Sequence, residues 1–376
     1  MSDTHPMMAE PTHDERAEQY FIKDLKGALW GMVPAQKAIV EDLAKRLATA
    51  PGGASLEDVR AAVLETGVCR DWIRYRRASQ EMMWNAVTDS VDRQIDALTV
   101  AGKIEQPLGS LELDPDLATP DYIQGMDVHQ MPGGYMRSRS DDDIRQGAVM
   151  DRGGAIFLLG RNGGAMNDGR GHALVSHVFD RAPDITPLRT LELGCGVGSS
   201  AVAVASYFPD AENWGIDIGA SLLRYAHARA ERLGAPMHFA QRNAERTGFP
   251  DNHFDLVYSC VVLHETSAEA VAAILKESLR ILKPGGLMVH LEVPSRYDED
   301  SAWDQLQGEF EHRYNNEPFW EGANTLDYGA LVQETGFKEV MVGYQATKRP
   351  VVRGNKGFSL TSSGTFACWF VVSGVK

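Results

Sequence analysis

Glu192-Leu-Gly-Cys-Gly-Val-Gly198 sets three glycines on alternate positions, after an apolar run and before a helix-forming one. Strand, glycine-rich turn and helix in that order suit a nucleotide ligand, which must approach backbone where a Cβ would collide. Glu192 narrows the choice. A phosphate favours a helix N-terminus, whereas a carboxylate beside the turn suits a ligand bearing an ammonium or sulfonium group. Asp217 closes a second strand-like run, Trp214-Gly-Ile-Asp217. It lies about 20 residues on, where an acid meets ribose hydroxyls. Alone it fits NAD and S-adenosylmethionine equally. A second chemical centre is His264-Glu265, just past Tyr258-Ser-Cys-Val-Val-Leu263. Histidine accepts a proton near neutrality and an adjacent carboxylate raises its basicity, so His264 is the leading candidate for general base. His290 and Glu292 alternate on the next strand, with Arg296 and Tyr297 beyond it. Glu292 and Tyr297 join His264 and Glu265 as catalytic candidates.

These residues need a scaffold. From about 187 onward apolar runs alternate with helical ones, the pattern of a parallel sheet covered on both faces. Strands are expected at 189–193, 213–217, 237–241, 255–260 and 286–293, with helices at 199–207, 220–233 and 268–282. A late strand pair, 338–345 and 365–373, follows a helix running from Asp327-Tyr328 to Gly336-Phe337. The first hundred residues read as helices. Pro34 divides 16–48 into two, Pro51-Gly-Gly53 breaks the chain, and Ser55 caps the next helix. Trp84, Val87, Val91, Ile95 and Leu98 form one stripe on a long helix ending at Ala101-Gly102. Residues 103–145, rich in proline, read as an irregular connector that includes Val128-His-Gln-Met-Pro-Gly-Gly-Tyr135. Gly153-Gly154 and Gly163-Gly164 lead into a helix at 171–180.

Residues 187–295 resemble the core of the class I S-adenosylmethionine-dependent methyltransferases. Glu192–Gly198 is similar to that family's glycine-rich first motif, and Gly215-Ile-Asp217 to the end of its second strand. Arg242-Asn243-Ala244-Glu245 resembles its adenine-contacting turn, with Asn243 where Asp is usual. Phe254–Cys260 resembles its fourth strand, and Leu282-Lys-Pro-Gly-Gly-Leu287 the turn into its fifth. The resemblance implies a Rossmann-like α/β fold, with a seven-stranded, mostly parallel sheet whose last strand is antiparallel and helices on both faces. An N-terminal helical domain (1–102) precedes it as a dimerisation arm or lid. The connector (103–145) would cover the active site, and the methyltransferase domain (146–376) would carry a substrate-lid insert at about 296–325 with Glu311, His312, Arg313, Tyr314, Phe319 and Trp320. The implied cofactor is S-adenosylmethionine, leaving as S-adenosylhomocysteine. Gly194, Cys195, Gly196 and Gly198 would approach its methionine and ribose portions. Glu192 would face the amino group and Asp217 both ribose hydroxyls. Ile218 would pack on adenine, with Asn243 and Ala244 at its edge. Ser259, Cys260 and Tyr135 would lie around the methionine end.

Composition bounds the rest. The chain has 376 residues, 43% hydrophobic and 24% charged, with a net charge of −15. Nucleic-acid partners select basic faces, so the acidic balance favours a small-molecule substrate. Four cysteines lack metal-ligand spacing, and no carboxylate set converges near the fourth-strand loop, so no metal is expected. Without an apolar run long enough to span a bilayer or a signal-peptide core, a cytoplasmic protein with no membrane association is expected, pairing as a homodimer if the N-terminal helices serve as the arm. Two other readings remain. One is an NAD-dependent oxidoreductase, whose Gly-x-Gly-x-x-Gly fingerprint would need glycine at Ser199. The other is a non-catalytic subunit that only binds S-adenosylmethionine.

Overall fold

The computed structural model describes residues 4–49, 55–297, 301–346, 351–354 and 356–376. The Pro51-Gly-Gly53 break lies outside them. Among the described residues nine strands form one sheet: β1 (Ser110–Glu112), β2 (Arg189–Leu193), β3 (Glu212–Asp217), β4 (Met237–Gln241), β5 (Phe254–Cys260), β6 (Leu282–Glu292), β7 (Lys338–Ala346), β8 (Phe358–Ser359) and β9 (Cys368–Val375). Their order across the sheet is β1-β4-β3-β2-β5-β6-β9-β7-β8. β1 to β6 are parallel, and β9 runs antiparallel between β6 and β7.

The sheet therefore has nine strands rather than the expected seven. The extra pair are short edge strands. β1 comes from the proline-rich connector and carries too few residues to show a period-two pattern. The Glu231 carboxylate pins its approach by accepting from Leu108 N (2.9 Å) and Gly109 N (2.8 Å).

Ahead of β1 the described residues form α1 (His13–Gly31), α2 (Val33–Ala48), α3 (Leu56–Glu65), α4 (Gly67–Asp92) and α5 (Ile95–Ala101). α6 (Arg145–Phe157) and α7 (Gly169–Arg181) precede β2, while α8 (Ser199–Ala205), α9 (Ala220–Arg232) and α10 (Ala268–Ile281) fill the crossovers. α11 (Ala302–Asn315), α12 (Trp320–Thr325) and α13 (Tyr328–Thr335) join β6 to β7. Thr12 and Ser55 open α1 and α3 as capping boxes with Glu15 and Asp58, which satisfies amides that have no partner inside the helix. Pro34 sits in the first turn of α2, where its missing N–H costs nothing.

Two expectations change. The stripe from Trp84 to Leu98 divides between α4 and α5, because the backbone leaves helical geometry at Gln94 (φ −113°, ψ 1°). Gly153-Gly154 lies inside α6 rather than in a break. α6 crosses α4 there so closely that a Cβ at Gly153 would sit 2.3 Å from the Trp84 ring.

α7 and α8 pack on the face formed by β5, β6 and β9, and α10 and α13 pack on the opposite face. The N-terminal helices are not a separate layer. Ile22, Met83, Trp84 and Val87 share one core with Ala148, Val149, Leu222 and Tyr225 of α6 and α9. Residues ahead of α1 are sealed into it: Met7 and Ala9 are fully buried, Tyr225 Oη donates to the Met7 carbonyl at 2.9 Å, and His5 lies 2.9 Å from Asp151, which also faces Arg229. A second cluster joins Leu29, Val40, Val63 and Trp72 to Trp303, Leu306 and Phe310 of α11. Among the described residues no helix is long and apolar enough to cross a membrane.

Gly153→Val should lower the midpoint of denaturant unfolding, by about 1–3 kcal/mol of stability, since a wedge in a filled core forces its neighbours off their rotamers. An unchanged midpoint would mean that α4 and α6 separate freely.

Candidate cofactor and acceptor site

The carboxyl ends of β2, β3 and β5 open on a cavity of about 590 Å³, the position at which open α/β sheets bind ligands. Its floor is the glycine turn. Gly194 has φ +65°, and a Cβ there would meet the Val262 side chain at 2.7 Å. Asp217 accepts from Gly196 N at 2.8 Å and from Gly219 N at 2.9 Å, which aims its carboxylate across the turn. Burial raises its pKa, while those amides and Ile218 N pull the other way. Ile218, Asn243 and Ala244 line the same end. Asn243 Oδ1 accepts from Glu245 N at 2.8 Å, so its side chain also builds its own turn.

Glu192 is almost fully buried and its Oε2 has no hydrogen-bond partner. Burial pushes its pKa up to about 8 against the pull of the Arg170 guanidinium. Cys195, Gly196, Cys260 and Arg170 line this part of the cavity, and Arg170 Nε is likewise buried without a partner.

Two expected site residues lie elsewhere. Gly198 is behind the cavity. Its φ of +72° serves the turn into α8, and a Cβ there would press on Phe239 and Ala226. Ser259 is fully buried and pairs with His290 Nδ1 at 2.8 Å between two strands. Alternation along β5 sends its side chain away from the cavity that Cys260 lines.

The far end of the cavity is polar and roofed. His264 Nδ1 lies 2.6 Å from Glu292 Oε2, and Glu292 Oε1 accepts from Val262 N (2.8 Å) and Leu263 N (2.7 Å). Glu265 Oε1 takes the Tyr135 hydroxyl at 3.1 Å and lies 2.9 Å from His129 Nε2. His129 Nδ1 lies 2.8 Å from Glu317. Burial lowers the pKa of His264, but Glu292 and Glu265 outweigh it and raise it to about 10. His129 is raised in the same way by Glu317 and Glu265, against burial. Glu265 is held well below the ordinary carboxylate range, because His129 and His264 overcome its burial. Trp320 stands edge-on to His264 at 5.2 Å and donates its indole N–H to Tyr297 Oη. Tyr135, Tyr297 and Trp320 all line the cavity, whereas Glu292 stands behind His264.

Sequence reading missed three of these residues. Arg170, between two glycines at the start of α7, carries no motif. His129 lies in the noted Val128–Tyr135 tract, but its left-handed backbone (φ 53°), which costs about 1–3 kcal/mol in a non-glycine residue, has no sequence signature. Glu317 lies among the charged and aromatic residues of the insert, where nothing separates it from a solvated acid.

The profile of a methyltransferase-domain family matches residues 190–286, from β2 into β6. An uncharacterised methyltransferase of Synechocystis is 32% identical over 154 residues, covering 40% of this chain and 68% of that protein. The chain belongs to the class I S-adenosylmethionine-dependent methyltransferases. A fatty-acid O-methyltransferase of Mycolicibacterium smegmatis is 32% identical over 115 residues (31% of this chain, 40% of that protein). A trans-aconitate 2-methyltransferase of Methylobacterium radiotolerans is 34% identical over 124 residues (33% and 45%). The chain thus spans less than half the length of either. A solved Haemonchus contortus phosphoethanolamine N-methyltransferase 2 with S-adenosyl-L-methionine superposes with a TM-score of 0.42 at 18% identity, over 64% of this chain and 60% of that one. The cradle fits the cofactor of this methyltransferase family. An unpartnered buried acid suits its ammonium group, an adjacent guanidinium its carboxylate, and the Asp217 oxygens its ribose.

Glu192 keeps its proton in the free protein up to about pH 8. Ligands that need the carboxylate should therefore bind more tightly as pH rises toward 8, then level off. Glu192→Gln should flatten that rise and weaken S-adenosylhomocysteine about tenfold or more; a rise that persisted in the variant would assign it to another group. By calorimetry, Asp217→Ala should cost about 1–3 kcal/mol of binding, whereas Ser259→Ala should leave affinity where it is.

Proposed function

We propose that this protein transfers a methyl group from S-adenosylmethionine to a small-molecule acceptor enclosed beneath its helical roof. The observation that carries this reading is one continuous cavity reaching from Glu192 and Asp217 to His264 and Trp320. When bound, S-adenosylmethionine supplies a methyl group on a sulfonium, which an acceptor displaces in line. The chain's residues hold, orient and exclude. The turn at Gly194, Cys195 and Gly196 and the Asp217 carboxylate grip the nucleoside, with Ile218, Asn243 and Ala244 at its base. Glu192, Arg170, Cys260 and Tyr135 take the amino-acid end. The roof keeps water from the reacting atoms, and fixed geometry converts an encounter into a near-attack arrangement.

His264 and Glu265 face the acceptor end. With its pKa near 10, His264 carries a proton at neutral pH in the free protein. There it orients an oxygen-bearing acceptor as a cation rather than waiting as a neutral base. Glu292 fixes its ring, and Tyr297 with Trp320 closes the side of the pocket. The carboxylates lining this end and the net charge of −15 favour a small molecule over nucleic acid. We assign helices α1–α5, α11 and α12 to the roof in preference to a pairing arm, because the buried faces of α1–α4 pack against α6, α9 and α11. Cys69, Cys195, Cys260 and Cys368 are all free and buried, which supports a reducing, cytoplasmic setting.

Incubation with methyl-labelled S-adenosylmethionine and fractionated metabolites should label a small molecule. Trp320→Ala should raise the KM for that acceptor about tenfold while leaving S-adenosylhomocysteine affinity unchanged, as expected for a residue at the acceptor end only. Tight cofactor binding with no labelled product from any fraction would favour the non-catalytic subunit instead.

A further inference from the structure

We propose that His129, His264 and Glu317 form a binding site for a first-row divalent transition metal at the acceptor end of the cavity. One ligand atom from each lies within 4.8 Å of the others. Two imidazoles and one carboxylate on one side of an ion leave its other side open to further ligands, the donor set of mononuclear iron and catalytic zinc centres. The proposal departs from the expectation of no metal, because these three donors come from segments far apart in the sequence.

The surroundings are those of a built site. The Glu317 side chain is 2% exposed, lines the cavity, and its Oε2 has no hydrogen-bond partner. A buried carboxylate oxygen left unpaired is costly, and a cation beside it removes the cost. His264 is prepared as a ligand. Its Nδ1 is held by Glu292 at 2.6 Å, which turns Nε2 toward the cavity, 3.5 Å from Glu265 Oε1, and a carboxylate behind a metal-binding histidine fixes ring and tautomer. His129 is fixed through its backbone: its carbonyl accepts from Trp84 Nε1 at 2.7 Å and Gln80 Nε2 at 2.9 Å. The carboxylates Glu265, Glu292 and Glu317 surround two imidazoles, so the pocket carries enough negative charge for a divalent ion. Binding takes both histidines neutral: their protons leave to solvent as the ion enters, and in the metal-bound form the ion replaces the His264 cation as the positive group facing the acceptor. The open side faces the space given to the acceptor under the proposed function, and an acceptor with a carboxylate or hydroxyl oxygen would complete the coordination.

Zn²⁺ and Co²⁺ titrated calorimetrically into the chelator-stripped full chain, without cofactor or acceptor, test the site apart from methyl transfer. One equivalent should bind. The bound Co²⁺ should show the visible absorption of a low-coordinate nitrogen and oxygen site. His129→Ala and the near-isosteric Glu317→Gln should each weaken binding at least tenfold, with S-adenosylhomocysteine affinity reporting that the variants fold. Replacing His13, exposed at the start of α1, should change nothing. The proposal is overturned if the wild-type chain binds no stoichiometric metal, or if Glu317→Gln binds it as tightly as wild type. Either failure would leave labelled-methyl transfer to be judged by its own assay.

Discussion

One buried carboxylate holds the working end of this molecule together. Glu292, the last residue of β6, accepts the amides of Val262 and Leu263 and grips the His264 ring. Charge-assisted bonds of this kind are stronger than neutral ones and offset the desolvation of the acid. The loop after β5 is thereby hung from the neighbouring strand. That loop carries Val262, whose side chain fills the space over Gly194, and Glu265, which gathers Tyr135 and His129. The nucleoside cradle and the polar acceptor end thus share a single anchor, and neither can be rearranged without the other.

The cover over the site is assembled from segments far apart in the chain. α4 sends Trp84 and Gln80 to the His129 carbonyl, and Lys26 on α1 bonds Gln80 at 2.6 Å. Burial draws the pKa of Lys26 down to about 7, so this contact can lose its charge near neutrality. Arg76 on α4 meets Glu311 on α11 at 2.5 Å. Apolar packing between α1–α4 and α11 supplies the bulk of the roof, and these polar contacts set its register over the cavity.

What could be read from the sequence follows from how far each signal travels along the chain. β2 and β4 fall at 189–193 and 237–241 as expected, because apolar runs between turn residues are local statements. The Glu192–Gly198 turn and Asp217 were legible for the same reason: a cofactor fingerprint is contiguous. His129, Glu317 and Arg170 were not, since they meet only after three distant segments fold onto one cavity. Gly153-Gly154 reads as a break when the partner helix is unknown, and becomes a crossing point once Trp84 lies against it. Ser259 shows the limit of a motif at single-residue resolution. It stands in the right strand, but the pleat turns its hydroxyl toward His290.

The burial of residues 5–9 bears on how the chain reaches this state. Met7 and Ala9 are sealed against α6 and α9, and His5 needs Asp151 and Arg229 in place before it has a partner. During synthesis this segment emerges long before α6 and α9, so it waits unprotected until both have been made. Such distant contacts are slow to form, because the loop must close before they return any energy. Residues 5–9 thus settle only once α6 and α9 are in place, and their docking seals that part of the core.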